Sequence, residues 1–216
     1  MPWFLYLLNA FELLACVIGF LYWKKIKETY WKWFPIYLGV VVLTEIIGEY
    51  FLFVRDDLQT NTIIYSYFGI PIEFLFFYWL FHQNFRKTSN YKWPLISATI
   101  YIISLVVDLS YISKIEIYFE SFSYTIGCIL LLVLLLIYFS GFIRGSEIIN
   151  YKSSMMFWVS VGIMVFYIGT MPFYAFRTKL FAEYEKFFYI YWYIQFGLNY
   201  LMYLFFTISF IWGKPK

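Results

Sequence analysis

Charge is what this chain has least of. Only 13% of its 216 residues are Asp, Glu, Lys or Arg, 63% are hydrophobic, and the mean hydropathy is +0.71. That balance lies outside soluble domains and reads as an all-α, polytopic membrane protein with one domain over residues 1–216. Histidine is nearly absent. With His82 alone, neither the histidine set of a zinc-dependent hydrolase nor an intramembrane Ser-His pair can be assembled. The two cysteines, Cys16 and Cys128, sit inside apolar runs and imply packed thiols, so no disulfide framework is expected. No phosphate-binding glycine loop occurs. The last apolar run has no lysine, which excludes a retinal Schiff base. The formal charge of +3 is small and confined to links, which argues against nucleic acid as a partner. No cofactor is called for.

What the chain does have is seven apolar runs, each near the ~20 residues of one crossing. They are Trp3–Tyr22, Trp33–Val54, Thr62–Phe81, Trp93–Tyr111, Phe122–Phe142, Met155–Phe176 and Phe187–Trp212. Tryptophans cluster at their ends, where amphipathic rings favour the headgroup region. Eleven of the 16 basic residues fall in the links after the first, third and fifth runs and in the C-terminal tail. Since Lys- and Arg-rich loops stay in the cytoplasm, the N-terminus is expected outside and the C-terminus inside. Heavy use of Phe, Tyr and Ile points to an AT-rich bacterial coding sequence, hence to the bacterial inner membrane.

The informative residues are carboxyls in this greasy background. Glu45 and Glu49 lie in the second run and Glu73 in the third, across the polar link Arg55–Asn61. A charged side chain at the centre of a membrane helix costs about 2.5–3.5 kcal/mol, so such groups usually face a bundle interior and serve a function. Helical spacing supports a shared interior. Asn9, Glu12, Cys16 and Gly19 share one face, as do Val41, Glu45, Gly48 and Glu49, and Gln195 with Asn199. Ser97, Tyr101, Ser104, Asp108 and Tyr111 make a polar stripe in the fourth run. Asp108 and Glu120 lie near run ends, where exposure to water is expected, and His82 is expected to be solvated. Pro71 interrupts the helical ladder two residues before Glu73, a break that neighbouring groups must satisfy. No Lys or Arg lies in the membrane core, and burial without a cationic partner disfavours an ionised carboxyl. Two uses follow: donating a proton to a substrate, or holding a cation. The polar groups are expected to converge on a chamber that opens to the outer side, and Arg177 and Lys179 are placed to reach toward it from the outer end of the sixth run.

Three segments carry a resemblance: residues 69–77 (Gly-Ile-Pro-Ile-Glu-Phe-Leu-Phe-Phe), residues 157–162 (Phe-Trp-Val-Ser-Val-Gly) and residues 194–199 (Ile-Gln-Phe-Gly-Leu-Asn). In them the chain resembles small bacterial seven-helix membrane proteins of unknown function, which implies a sensing or signalling role. The Pro71-Ile72-Glu73 string is also similar to a stretch of membrane-bound lycopene and prenyl cyclases, which implies a buried acid that protonates an isoprenoid. The doubled acid of that motif is absent, since Phe74 follows Glu73. The leading expectation is a sensor that binds a small or lipidic ligand in an outward-facing acidic chamber made by Glu12, Glu45, Glu49, Glu73, Gln195 and Asn199. The alternatives are a prenyl cyclase-like enzyme using Glu73 or Glu45 as acid and an oligomeric pore-forming effector. Expected partners are membrane lipid, a cytoplasmic signalling protein docked on Lys24–Lys32 and Arg86–Lys92, and further copies of the chain.

Overall fold

The computed structural model describes residues 3–112 and 122–215. Among these, seven helical spans are long and apolar enough to cross a membrane: α1 (Trp3–Leu21), α2 (Tyr30–Val54), α3 (Leu58–Phe85), α4 (Trp93–Ser110), α5 (Phe122–Arg144), α6 (Met155–Arg177) and α7 (Glu185–Trp212). The helix of α6 continues to Glu183. No strand occurs among the described residues. Glu120 lies outside them.

Each helix packs against its neighbours in sequence, and α7 returns to α1, so the seven close into a ring. One helix is shared more widely: α3 touches α2, α4 and α5. Its Phe74, Phe77 and Phe81 are fully buried. The Phe74 ring lies 5.0 Å from Tyr101 of α4, 5.6 Å from Tyr124 of α5 and 5.4 Å from Tyr167 of α6. Phe77 meets Phe206 of α7 at 6.1 Å, and Phe76 stacks on Tyr37 of α2 at 4.1 Å. Such offset and edge contacts suit the ring quadrupoles. A Cβ at Gly127 would come within 2.8 Å of the Phe74 ring, so glycine there lets α5 close on α3. Outward positions such as Leu13, Ile46, Ile103 and Leu136 remain exposed, as suits helices whose solvent is lipid.

The turn between α2 and α3 is tighter than the Arg55–Asn61 link read from polarity. Asp56 takes a left-handed φ of 52°, and Asp57 caps the next helix by accepting from Thr60 N at 2.9 Å and Thr60 Oγ1 at 2.6 Å. The cap draws Gln59, Thr60 and Asn61 into α3, and Asn61 Nδ2 then reaches back to Gly48 O at 2.8 Å. Those hydrogen bonds hold the Asp57 carboxyl below its ordinary pKa. A depressed pKa means the cap is fully present above the ordinary carboxylate value and is lost as pH falls below it, through the lowered folded-state value. The protection factor of the Thr60 amide, its exchange rate relative to the intrinsic rate at the same pH, should therefore fall on acidification in the wild type and show no such pH step in Asp57→Ala. Identical Thr60 protection in both proteins at every pH would show that Asp57 does not cap α3.

Two π-helical turns, Tyr50–Val54 and Tyr65–Gly69, interrupt α2 and α3 near this turn. In the second, Ile70 N bonds Tyr65 O, five residues back. Pro71 follows immediately; it has no N–H to give and its ring crowds the preceding turn, so the ladder slips by one residue there. At the other end of the bundle Lys25 Nζ donates to Phe210 O at 2.8 Å and Ile211 O at 3.3 Å, placing a cation on the last carbonyls of α7. Lys214 N donates to Ser153 O at 2.7 Å and ties the tail to the start of α6. With Lys24, Lys32, Arg86 and Lys87, this is the basic end.

Candidate functional site

Near the midpoints of α1, α3 and α7, and just past the middle of α2, four polar side chains face one another. Glu12, Glu45, Glu73 and Asn199 line a cavity of about 90 Å³, together with the phenols of Tyr65 and Tyr203. That volume admits a few waters or a small head group. Glu12 is 2% exposed, and its Oε2 has no hydrogen-bond partner; neither has Asn199 Oδ1. The Tyr65 hydroxyl donates to Glu45 Oε2 at 2.5 Å. Tyr203 sits beside Glu12, and Tyr167 beside Glu73. No Lys, Arg or His lines the cavity. Among the described residues no group of three or more His, Cys, Asp or Glu is arranged to hold a metal ion. The carboxyls surround a volume rather than converge on a point.

Local sequence sets this arrangement. The π turn before Pro71 turns Tyr65 toward α2, and Gly48 leaves room for its ring. A Cβ at Gly48 would lie 2.7 Å from the Tyr65 ring and 2.9 Å from its hydroxyl. Gly48→Ala should therefore push the ring off Glu45 and cost about 1–3 kcal/mol, the usual penalty for overfilling a packed site. Unfolding of the purified protein in detergent measures the cost. An alanine protein of wild-type stability that keeps the tyrosine–carboxyl contact would contradict it.

Compared with protein-family models, curated proteins and solved structures, the chain matches none. Its chemistry rests on its own geometry.

Of the six residues singled out from sequence, the cavity gathers Glu12, Glu45, Glu73 and Asn199. Glu49 lies one turn from Glu45 and accepts from Asn9 Nδ2 at 2.8 Å, a pair between α1 and α2 beside the cavity. Gln195 is elsewhere: its Nε2 donates to the Tyr174 hydroxyl at 2.6 Å. Tyr174 belongs to a layer away from the basic end, where the Tyr124 ring lies tilted against it at 4.0 Å and the Arg177 guanidinium lies over its ring at 5.3 Å. Arg177 thus reaches inward, as its position suggested, but to aromatic faces. The polar stripe of α4 is buried at Ser97, Tyr101, Ser104 and Asp108.

Asp108 corrects the expectation of a solvated residue. It is 1% exposed, and its Oδ2 accepts from Ser123 N at 3.0 Å, satisfying the start of α5. His82 is half-buried, with Nδ1 3.2 Å from Tyr91 O. Two contributors escaped the sequence reading. Tyr203 stands four residues after Asn199, a spacing that signals a shared face. Tyr65 carried no such signal, because the π turn and Pro71 break the register between it and Glu73. Among 23 tyrosines neither stood out by type.

Chemically, three carboxyls flanked by phenols and an amide, without a base, accept hydrogen bonds from a ligand, or balance its positive charge, in a low-dielectric setting.

Proposed function

We propose that the chain is a membrane-embedded binding protein of the sensing class. It takes a small cationic or hydrogen-bond-donating ligand among Glu12, Glu45, Glu73 and Asn199 and passes the change to a partner at its basic end. One observation carries this reading: acids from three helices line a single cavity at mid-depth, with buried polar atoms of Glu12 and Asn199 unpartnered. A volume of about 90 Å³ suits a head group better than a folded isoprenoid, which favours binding over cyclisation.

The route to a partner is α3, regular from Ile70 to Phe85. Glu73 lies in the cavity, and Asn84 and Phe85 line a cleft of about 800 Å³ at the basic end. Arg86, Lys87 and Lys214 also border that cleft, and no described carboxyl does. With the basic end in the cytoplasm of a bacterial inner membrane, the cleft faces an acidic segment of a signalling protein.

The test uses a hydrophobic carbodiimide, which modifies buried carboxyls, and N,N-dimethylbutylamine, a cation that cannot itself be acylated. Mass spectrometry should find Glu12, Glu45 and Glu73 modified, with modification falling tenfold or more when the amine is in excess and unchanged by butanol. Equal labelling with and without the amine would defeat the reading.

A further inference from the structure

The acid cavity is not closed off from the lipid-facing surface. Two of its lining residues, Val40 of α2 and Ile72 of α3, are more than one-third exposed. The same two residues line a second hollow, a groove of about 480 Å³ on the outer surface between α2 and α3. Trp33, Ile36, Phe76 and Trp79 complete its apolar walls. Tyr37 joins the two spaces: its ring lines the groove, stacked on Phe76, and its phenol lies near both Glu73 and Glu12. The groove thus runs from the basic end, where Trp33 begins the regular α-helix of α2, to Val40 and Ile72, which also border the acid cavity. From Trp33 to Val40 the helix rises about 10 Å, the reach of a medium-length alkyl tail.

Resting on the binding reading above, we propose that the ligand is a single-chain amphiphile with an amine head. The head enters laterally between α2 and α3 to sit among Glu12, Glu45 and Glu73, and the tail lies in the groove toward the basic end. The chemistry selects this occupant. An ordinary phospholipid carries a phosphate, for which the cavity offers no Lys, Arg or His, and its head belongs at the interface, whereas the acid cavity lies near the middle of the spans. An amine brings a positive charge and N–H donors to a cavity that has carboxyls and no base. An aromatic wall suits a chain and the methylenes next to its cationic head.

The experiment separates this proposal from the reading it rests on. The protein, in phosphatidylcholine nanodiscs, is given N,N-dimethyldodecylamine carrying a diazirine at mid-chain, and cross-linked peptides are mapped by mass spectrometry. Cross-links should concentrate on residues 33–40 and 72–79. They should fall tenfold or more in the Glu45→Gln, Glu73→Gln double variant and in Ile36→Trp, which fills the groove without touching the cavity. In Ile36→Trp, protection of the carboxyls by N,N-dimethylbutylamine should persist. Cross-links spread over all lipid-facing helices, with the short amine still protecting, would overturn the groove and leave the acid site standing. Failure of the short amine to protect would overturn both.

Discussion

Replacing Phe74 with alanine is expected to be among the most destabilising single changes in this bundle. The ring is fully buried where α3, α4, α5 and α6 meet, in contact with Tyr101, Tyr124 and Tyr167. Removing it leaves a void that Gly127, facing it without a side chain, cannot fill. The usual cost of Phe→Ala in a packed core is about 3–5 kcal/mol, made of lost dispersion contacts and an unrelaxed cavity. Equilibrium unfolding in mixed micelles reads that cost directly. Phe74→Leu should recover much of it. A loss below about 1 kcal/mol in the alanine protein, well under the usual range for such a site, would show that α3 is not the central packing element.

The second expectation concerns sign as well as size. Glu12→Met should stabilise the protein while abolishing protection of the remaining carboxyls by amine. Glu12 is buried, one of its oxygens is unpartnered, and Glu45 and Glu73 line the same cavity. A thioether of similar length removes an unsatisfied polar atom, whose burial costs about 1–3 kcal/mol, and fills the same space. Stability sacrificed in the resting protein for a site is the pattern of a binding residue. If Glu12 instead tied α1 to its neighbours, the methionine protein would be less stable than wild type. Unfolding free energy and carbodiimide protection, measured on the same preparation, distinguish the two outcomes.

The sequence carried the fold a long way because membrane helices are written in long runs. With no water in the hydrocarbon core, every span must satisfy its backbone internally, so the apolar runs marked the helices. Boundaries were less legible. The reading of α3 began at Thr62 because Gln59, Thr60 and Asn61 look like a polar loop, yet the Asp57 cap draws them into the helix. Facing was legible where residues repeat every three or four positions, as in α1 and α4. It failed for Gln195, which shares a face with Asn199 but lies a full turn farther from the basic end and meets Tyr174 instead.

By itself, the amino-acid sequence determined that this chain is a seven-helix membrane bundle and that its acids lie within the apolar spans, since hydropathy and helical period are local properties of the letters. Only the tertiary structure decided which acids meet. The depth at which each helix packs brings Glu12, Glu45 and Glu73 to one cavity, a π turn ahead of Pro71 and the bare Cα of Gly48 bring Tyr65 to Glu45, and Asp108 is drawn inward to cap α5. Those outcomes depend on register between elements far apart in sequence, which packing sets and no single run encodes.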